Sequence, residues 1–311
     1  DIISTTTHVH HMEFDMYRQG HILYTSDQHA LMTTDGTTTH LVAGNFTQRG
    51  YREGVGAEAR FNWMEGFTQL SEKLVVVADS NNYCIRLIDR TSNNTSVFSG
   101  QCKSRGRYQD GHPGQFNRPV SVVIDQRNEN QLLITDHDNA AVRTVDVKSQ
   151  TVGTFVKSDP LQFIIGMTQD ETSGDLYVTA FHALYRITYT QRTVKLISGS
   201  PGSNSDGYRD STLLDSLFYW PYELIFIAPH TLLVADRYNL KLRLVDMNSD
   251  KVTTLNVTNS LNEPHSLLLT NNSLYVGEHK KITHYKCEYN IATIHINNNA
   301  IWAYGLIRNL F

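Results

Sequence analysis

Short apolar runs of five or six residues recur along the chain, each bounded by Asn, Ser, Gly or Asp. LVVVAD ends at Asp79, IRLID at Asp89, LLITD at Asp136 and LLVAD at Asp236. Runs of this length, rich in Val, Ile, Leu, Tyr and Thr, predict β-strands. They are apolar at nearly every position rather than at alternate ones, as expected of strands covered on both faces. No segment carries a helical period. The longest apolar stretches, such as residues 74–78, are far short of the ~20 residues that span a bilayer.

The runs belong to a repeat. Gly50-Tyr-Arg-Glu-Gly, Ala59-Arg-Phe-Asn, LVVVAD and IRLID recur as YQDG, QFNRP, LLITD and VRTVD, then as GYRD, FYWP, LLVAD and LRLVD. Asp79 precedes Arg86 by the same step as Asp136 precedes Arg143 and Asp236 precedes Arg243. Three weaker copies fill the gaps. LYTSDQHALMTTD places Asp27 in the first-Asp position; LYVTAFHALYRIT has Ala180 there and keeps Arg186; LYVGEHKKITHY has Glu278 and no Arg. Six units at a mean spacing of about 50 residues account for nearly the whole chain. In the second unit the strands read as residues 65–70, 73–78, 84–89 and 95–99. Four strands per unit, six units and two buried faces per sheet predict an all-β, six-bladed β-propeller of four-stranded antiparallel blades. The approximate blades are 9–44, 45–100, 101–156, 157–199, 200–256 and 257–297, forming one domain over 1–311. Residues 2–7 are left to pair with the last unit near 291–296 and clasp the ring, and 298–311 form an extension.

The run AGNFTQRGYREGVGAEARFNWMEGF…LVVVADSNNYCIRLID is similar to the NHL repeat, which forms six-bladed propellers. The resemblance is strongest in units two, three and five. It implies the fold, not the activity, because NHL propellers include RNA binders, enzymes and extracellular interaction domains.

Asp79, Asp136 and Asp236 each end a strand and open a turn, where a carboxylate can accept backbone N–H bonds. Arg86, Arg143 and Arg243 can reach between blades to carbonyls and carboxylates. Their repetition around a ring marks them as structural. The glycine loops at 50–54, 106–111 and 207–210 precede no helix, so glycine there serves backbone geometry, not phosphate binding. These loops and the Asp-led turns should emerge on one face, the expected ligand surface. The positions opening the inner strands hold Met12, Met64, Pro119, Ile165, Pro221 and Pro264. Around them stand Trp63, Arg118, Trp220, Tyr222 and His265. The second turn series adds Tyr83, His137, Phe181, His182, Tyr238 and His279, with Arg237 and Lys280 nearby. Aromatic and Arg anchors of this kind are typical of protein interfaces.

Composition narrows the function. Of 311 residues 40% are hydrophobic and 19% charged, with a net charge of −4. That describes a globular chain and disfavours a bulk-basic nucleic-acid or membrane binder. Cys84 and Cys102 are symmetric about position 93, in the turn Ser92-Asn-Asn-Thr95. Facing positions of a hairpin can approach disulfide distance, so a Cys84–Cys102 bridge is expected and Cys287 is left over. Glycosylation sequons stand at Asn45, Asn93, Asn94, Asn256 and Asn271, with Asn93 and Asn94 at a hairpin tip. Bridge and glycan together predict a secreted protein or the extracellular part of a membrane protein. A chain opening at Asp1 without Met is expected to be a processed piece, with any signal or anchor outside it.

Three functions compete. An enzymatic alternative is suggested by Glu263-Pro264-His265-Ser266, which resembles a Pro-His motif of the peptidylglycine amidating lyase, an NHL-like propeller that holds Zn on His from separate blades. The corresponding positions Arg118-Pro119-Val120 and Trp220-Pro221-Tyr222 carry no His, so His265 is the only ligand candidate. His8, His10 and His11 read as a solvated strand. RNA binding would draw on Lys103, Arg105 and Arg107 and on Arg209, Arg237 and Lys241, a sparse patch on an acidic chain. The third reading is a non-enzymatic propeller that binds a protein or peptide on its loop face. It needs no cofactor, and a structural cation in the central channel stays open.

Overall fold

The computed structural model describes residues 2–4, 9–26, 29–104, 106–202, 205–270, 272–286, 293–296 and 299–302. Six antiparallel sheets form a ring, the six-bladed propeller that the repeat implies. Their inner strands, each touching the next around the axis, are Val9–Phe14, Met64–Ser71, Pro119–Ile124, Ile164–Gln169, Pro221–Ala228 and Ser266–Leu269. From each, the chain meanders outward through hairpins to the rim.

The core consists of apolar layers between successive blades. In Leu74–Asp79, Val75 and Val77 pack toward the first blade, with Leu23, Leu31 and Val42. Val76 and Ala78 pack toward the third, with Val122, Leu132 and Ile134. Both faces of the strand are therefore dry, which is why its sequence does not alternate.

The ring closes through the N-terminus. Ile2–Ser4 forms the outer strand of the sixth sheet, pairing Ile2 with Thr283 and Ser4 with Lys281. Its partner is therefore Lys281–Lys286 and not the 291–296 region, where Thr293–Ile296 instead pairs with Asn299–Trp302 in a separate hairpin.

The repeated Asp and Arg build a buried cage in each strong blade. Asp79 Oδ1 accepts the N–H of Asn62 at 2.8 Å, while Oδ2 accepts Asn82 Nδ2 at 2.8 Å and Arg86 Nη1 at 3.0 Å. Arg86 also donates to the carbonyl of Arg52 and lies 4.7 and 5.2 Å from the ring centroids of Tyr51 and Phe61. Asp136, Asn139 and Arg143 repeat this with Tyr108 and Phe116, and Asp236, Asn239 and Arg243 with Tyr208 and Phe218. Burial raises the pKa of all three carboxyls against the opposing pull of their hydrogen bonds and the guanidinium.

Strand register corrects the weaker copies. Arg86 pairs with Val77, two residues before Asp79, and Arg143 and Arg243 stand likewise. In the fourth blade the residue paired with Val178, two before Ala180, is Tyr185. Arg186 pairs with Tyr177, lies half exposed, and binds Asp175. The Ala180-to-Ala183 turn is shorter than those of the second, third and fifth blades, which shifts the arginine off the repeat position. In the sixth blade Thr283 takes the arginine place and donates to Glu278. In the first, Ser26 stands in register with Asp79, and Asp27 lies outside the described residues.

The Cys84–Cys102 disulfide is present, with Cα atoms 5.0 Å apart. It is not a facing pair of the hairpin. A bulge between Val97 and Ser99 shifts the register so that Ile85 faces Ser99, and the bridge forms beyond the end of the strand. Cys287 lies outside the described residues, as does Asn271. Asn93, Asn94 and Asn256 are exposed and Asn45 is partly buried.

Candidate functional site

Left-handed backbone is adopted by the residue directly ahead of the inner strand in four blades, Trp63 (φ 67°), Arg118 (61°), Phe163 (58°) and Trp220 (53°), and by Glu263 (48°), three residues ahead, in the sixth. Much of this turn is fixed from below. The acidic residue of the repeat accepts the N–H of Asn62, Asn117, Tyr219 and Asn262 in four of the blades. The carbonyls of Trp63 and Arg118 then accept the N–H of Ser80 and His137. Large residues in this region cost on the order of 1–3 kcal/mol each, and glycine would relieve it. The bulky side chains are thus not there to satisfy the backbone.

On blades three to five these positions assemble one aromatic arc. His137 meets Phe163 (ring centroids 5.4 Å apart), Phe163 meets Phe181 (5.0 Å), and Phe181 meets Trp220 (5.3 Å) and His182 (4.6 Å). His182 continues to Tyr219 (5.6 Å), and Tyr219 to Tyr238 (5.1 Å). Phe163, Tyr219 and Tyr238 are exposed, while His137 and His182 are buried beneath them. His182 Nδ1 accepts the N–H of Trp220 at 3.1 Å, and burial lowers its pKa, so it serves as a neutral support for the turn. His137 lies 2.6 Å from Asp138, which also faces Arg118 at 3.7 Å. Arg237 lies over Tyr238 and pairs with Glu263 at 2.9 Å. Each arginine at the edge of the arc therefore has a carboxylate partner.

Tyr222 and His265, expected on the face, descend into the channel. The Tyr222 hydroxyl donates to Glu65 at 2.5 Å, and the His265 ring meets Tyr222 and His10 at 4.9 Å each. Trp63 also hydrogen-bonds Glu65, and burial raises the Glu65 pKa against these donors. Together these groups plug the mouth, leaving a cavity of about 20 Å³, room for about one water. Beneath them His11 lies 3.0 Å from Glu223 and 3.7 Å from Glu13. Burial opposes charge on the ring, but the two carboxylates outweigh it and raise its pKa to about 10. His10 and His11 are thus channel residues and not part of a solvated strand; His8 lies outside the described residues. The imidazolium supplies positive charge between the channel carboxylates.

Trp63 and Tyr83 belong to the second blade, away from the arc. Phe163 and Tyr219 belong to it although neither is among the face residues that the repeat points to. By register Ile164, not Ile165, opens the fourth inner strand, because Ile164 faces Ala180 as Met64 faces Asp79. The first blade shifts likewise, with Val9 and not Met12 in that position. The displacement by one residue hid Phe163. Among the described residues no group of three or more His, Cys, Asp or Glu is placed to hold a metal ion. His265 Nδ1 lies 2.6 Å from the carbonyl of Glu263. Lys103 lies over Tyr51, Arg209 donates to the Asp215 carbonyl and Arg237 pairs with Glu263, so these three basic side chains are engaged within the chain; Arg105 lies outside the described residues.

The fold and face define a six-bladed β-propeller with an aromatic loop surface. No protein-family model matches the chain. It is 29% identical over 128 residues to NHL repeat-containing protein 2 of Bos taurus, covering 39% of this chain and 18% of that protein. The Homo sapiens protein of the same name is 27% identical over 125 residues, covering 38% and 17%. The match thus spans less than a fifth of the length of these curated relatives. Among solved structures, an auxiliary nutrient binding protein from Bacteroides thetaiotaomicron superposes with a TM-score of 0.65 at 12% identity, over 90% of this chain and 70% of that one. Virginiamycin B lyase from Staphylococcus aureus gives 0.60 at 12%, over 91% and 97%. A chain of the nidogen/laminin complex gives 0.56 at 13%, over 80% of each. These likenesses show the fold. The partial NHL matches and the six-bladed ring are consistent with an NHL-type propeller.

Proposed function

We propose that this chain is a non-enzymatic, extracellular interaction module that binds a protein or peptide on the loop face of blades three to five. The observation that carries the reading is the continuous arc of seven rings, three of them exposed. Exposed rings backed by buried ones are pre-ordered anchors, which bind at low entropic cost. The disulfide supports an oxidising compartment, and exposed Asn93, Asn94 and Asn256 are suited to carry glycans. Among the described residues no helix is long and apolar enough to cross a membrane. The lyase reading has only His265, buried in the channel mouth. The RNA reading would have to draw on a few basic side chains in a chain of net charge −4.

The test is selection of binders from a displayed peptide library against the folded chain. Selected peptides should lose about tenfold or more in affinity for the Tyr219→Ala/Tyr238→Ala variant, with its melting temperature nearly unchanged. Peptides that bind this variant as well as the unmodified chain would place recognition elsewhere and sink the proposal.

A further inference from the structure

The repeat fails at the fourth blade, and the failure leaves a groove. Before the second, third and fifth inner strands, residues 45–63, 100–118 and 200–220 supply the Tyr and Phe rings that cover the buried arginine. Before the fourth, the connection is only residues 158–163. It brings no covering tyrosine. Ala180 replaces the aspartate and Tyr185 the arginine. Where the second, third and fifth blades hold a guanidinium between rings and a carboxylate, this blade has an open groove of about 330 Å³. Its lining includes Phe181, Tyr185, Leu196, Pro160 and Asp159, and contains no Lys or Arg. Its volume lies at the lower end of ligand pockets, ~300–1,000 Å³. Phe181 belongs both to the groove and to the arc, so the two are continuous.

We propose that this groove receives an arginine side chain of the partner, laid against Phe181 and Tyr185 with Asp159 at the rim. The inference rests on the binding reading above and adds the chemistry of one anchor. Two aromatic rings and one carboxylate in the lining, with no Lys or Arg, suit a planar guanidinium. The same combination holds Arg86, Arg143 and Arg243 within this chain, so the partner would supply in trans what the fourth blade lacks in cis.

The probe is N-acetyl-arginine amide, titrated by NMR into the folded chain, with N-acetyl-citrulline amide as the neutral isostere. Saturable shifts at Phe181, Tyr185 and Leu196 are expected with the arginine compound at about millimolar concentration. Citrulline should bind several-fold more weakly, and Asp159→Asn should weaken arginine but not citrulline. Leu196→Trp, which fills the groove, should abolish the shifts. Equal response to both compounds, or no saturable shift in the groove, overturns the inference. The Tyr219→Ala/Tyr238→Ala variant separates the two claims. If it loses the selected peptides while no arginine preference is found, only the groove assignment fails. If arginine saturates the groove but no peptide depends on the arc, the groove stands and the wider reading fails.

Discussion

Two readings of the fourth blade make opposite predictions about arginine. The likeness of LYVTAFHALYRIT to the other copies assigns Arg186 to the repeat; strand register assigns Tyr185 and leaves Arg186 on the other side of the sheet. Substituting Arg243 by Met in the fifth blade removes a fully buried guanidinium that bonds Asp236 at 2.6 Å, Asp210 at 2.7 Å and the carbonyls of Leu217 and Arg209 at 3.0 and 2.8 Å. Asp236 is left buried with only Asn239 and the Tyr219 N–H. Breaking a buried pair in this way costs about 3–5 kcal/mol. Arg186→Met removes a half-exposed contact with Asp175, for which about 0.2–1 kcal/mol is expected. Unfolding entropy scales with length, so a chain of this size shifts by about 1.5 °C per kcal/mol. The melting temperature should then fall by about 4–8 °C for Arg243→Met and by under about 2 °C for Arg186→Met. Urea denaturation midpoints, read by tryptophan fluorescence, should rank the same way. Arg143→Met is the internal replicate. If Arg186→Met costs as much as Arg143→Met, the register argument is wrong, and the groove built on it loses its basis.

Removing residues 1–8 deletes the outer strand of the sixth blade and should lower the melting temperature by several degrees; an unchanged value would refute the clasp. Replacing Cys84 and Cys102 by Ser opens a loop with a separation of 18 residues, and about 3 kcal/mol of stability should be lost in denaturant titrations. His11 has its folded pKa raised from 6.5 to about 10, so its stabilisation is complete below pH 6.5 and is lost as pH rises through 10. The stability difference between the unmodified chain and His11→Gln should therefore shrink over that window, from at most about 5 kcal/mol. A difference independent of pH would show that His11 is not an imidazolium between Glu13 and Glu223.

Much of the architecture is legible because the repeat is periodic in the same residues that make its cages. Asp79, Asp136 and Asp236 recur because each one fixes a turn, and their arginines because each one fills the space that turn leaves. What escapes the sequence is register where turns shorten. The tight turn between Ala180 and Ala183 moves Arg186 out of phase, and the same blade hides Phe163 ahead of Ile164. The Cys pair is legible by proximity but not by geometry, because one bulge moves it past the strand end. Tyr222 and His265 show a different limit. Both flank left-handed turns, and from the chain alone nothing separates a ring that turns out to the face from one that turns in to Glu65.

The aromatic arc spans two caged blades and the uncaged blade between them. In the second, third and fifth blades, the buried Asp and Arg hold the backbone in a strained turn, and that strain is affordable because each cage is complete. The fourth blade gives up its cage, yet Phe163 still stands at positive φ, backed by Phe181 and neutral His182. Its neighbours on both sides keep their cages, with Asp136 and Asp236 holding the turns that carry Arg118 and Trp220. A symmetric ring would offer a partner six equivalent places and no preferred one. The first, fourth and sixth blades lack the Asp–Arg pair, and the aromatic arc lies across the fourth, the one of these three that stands between caged neighbours on both sides.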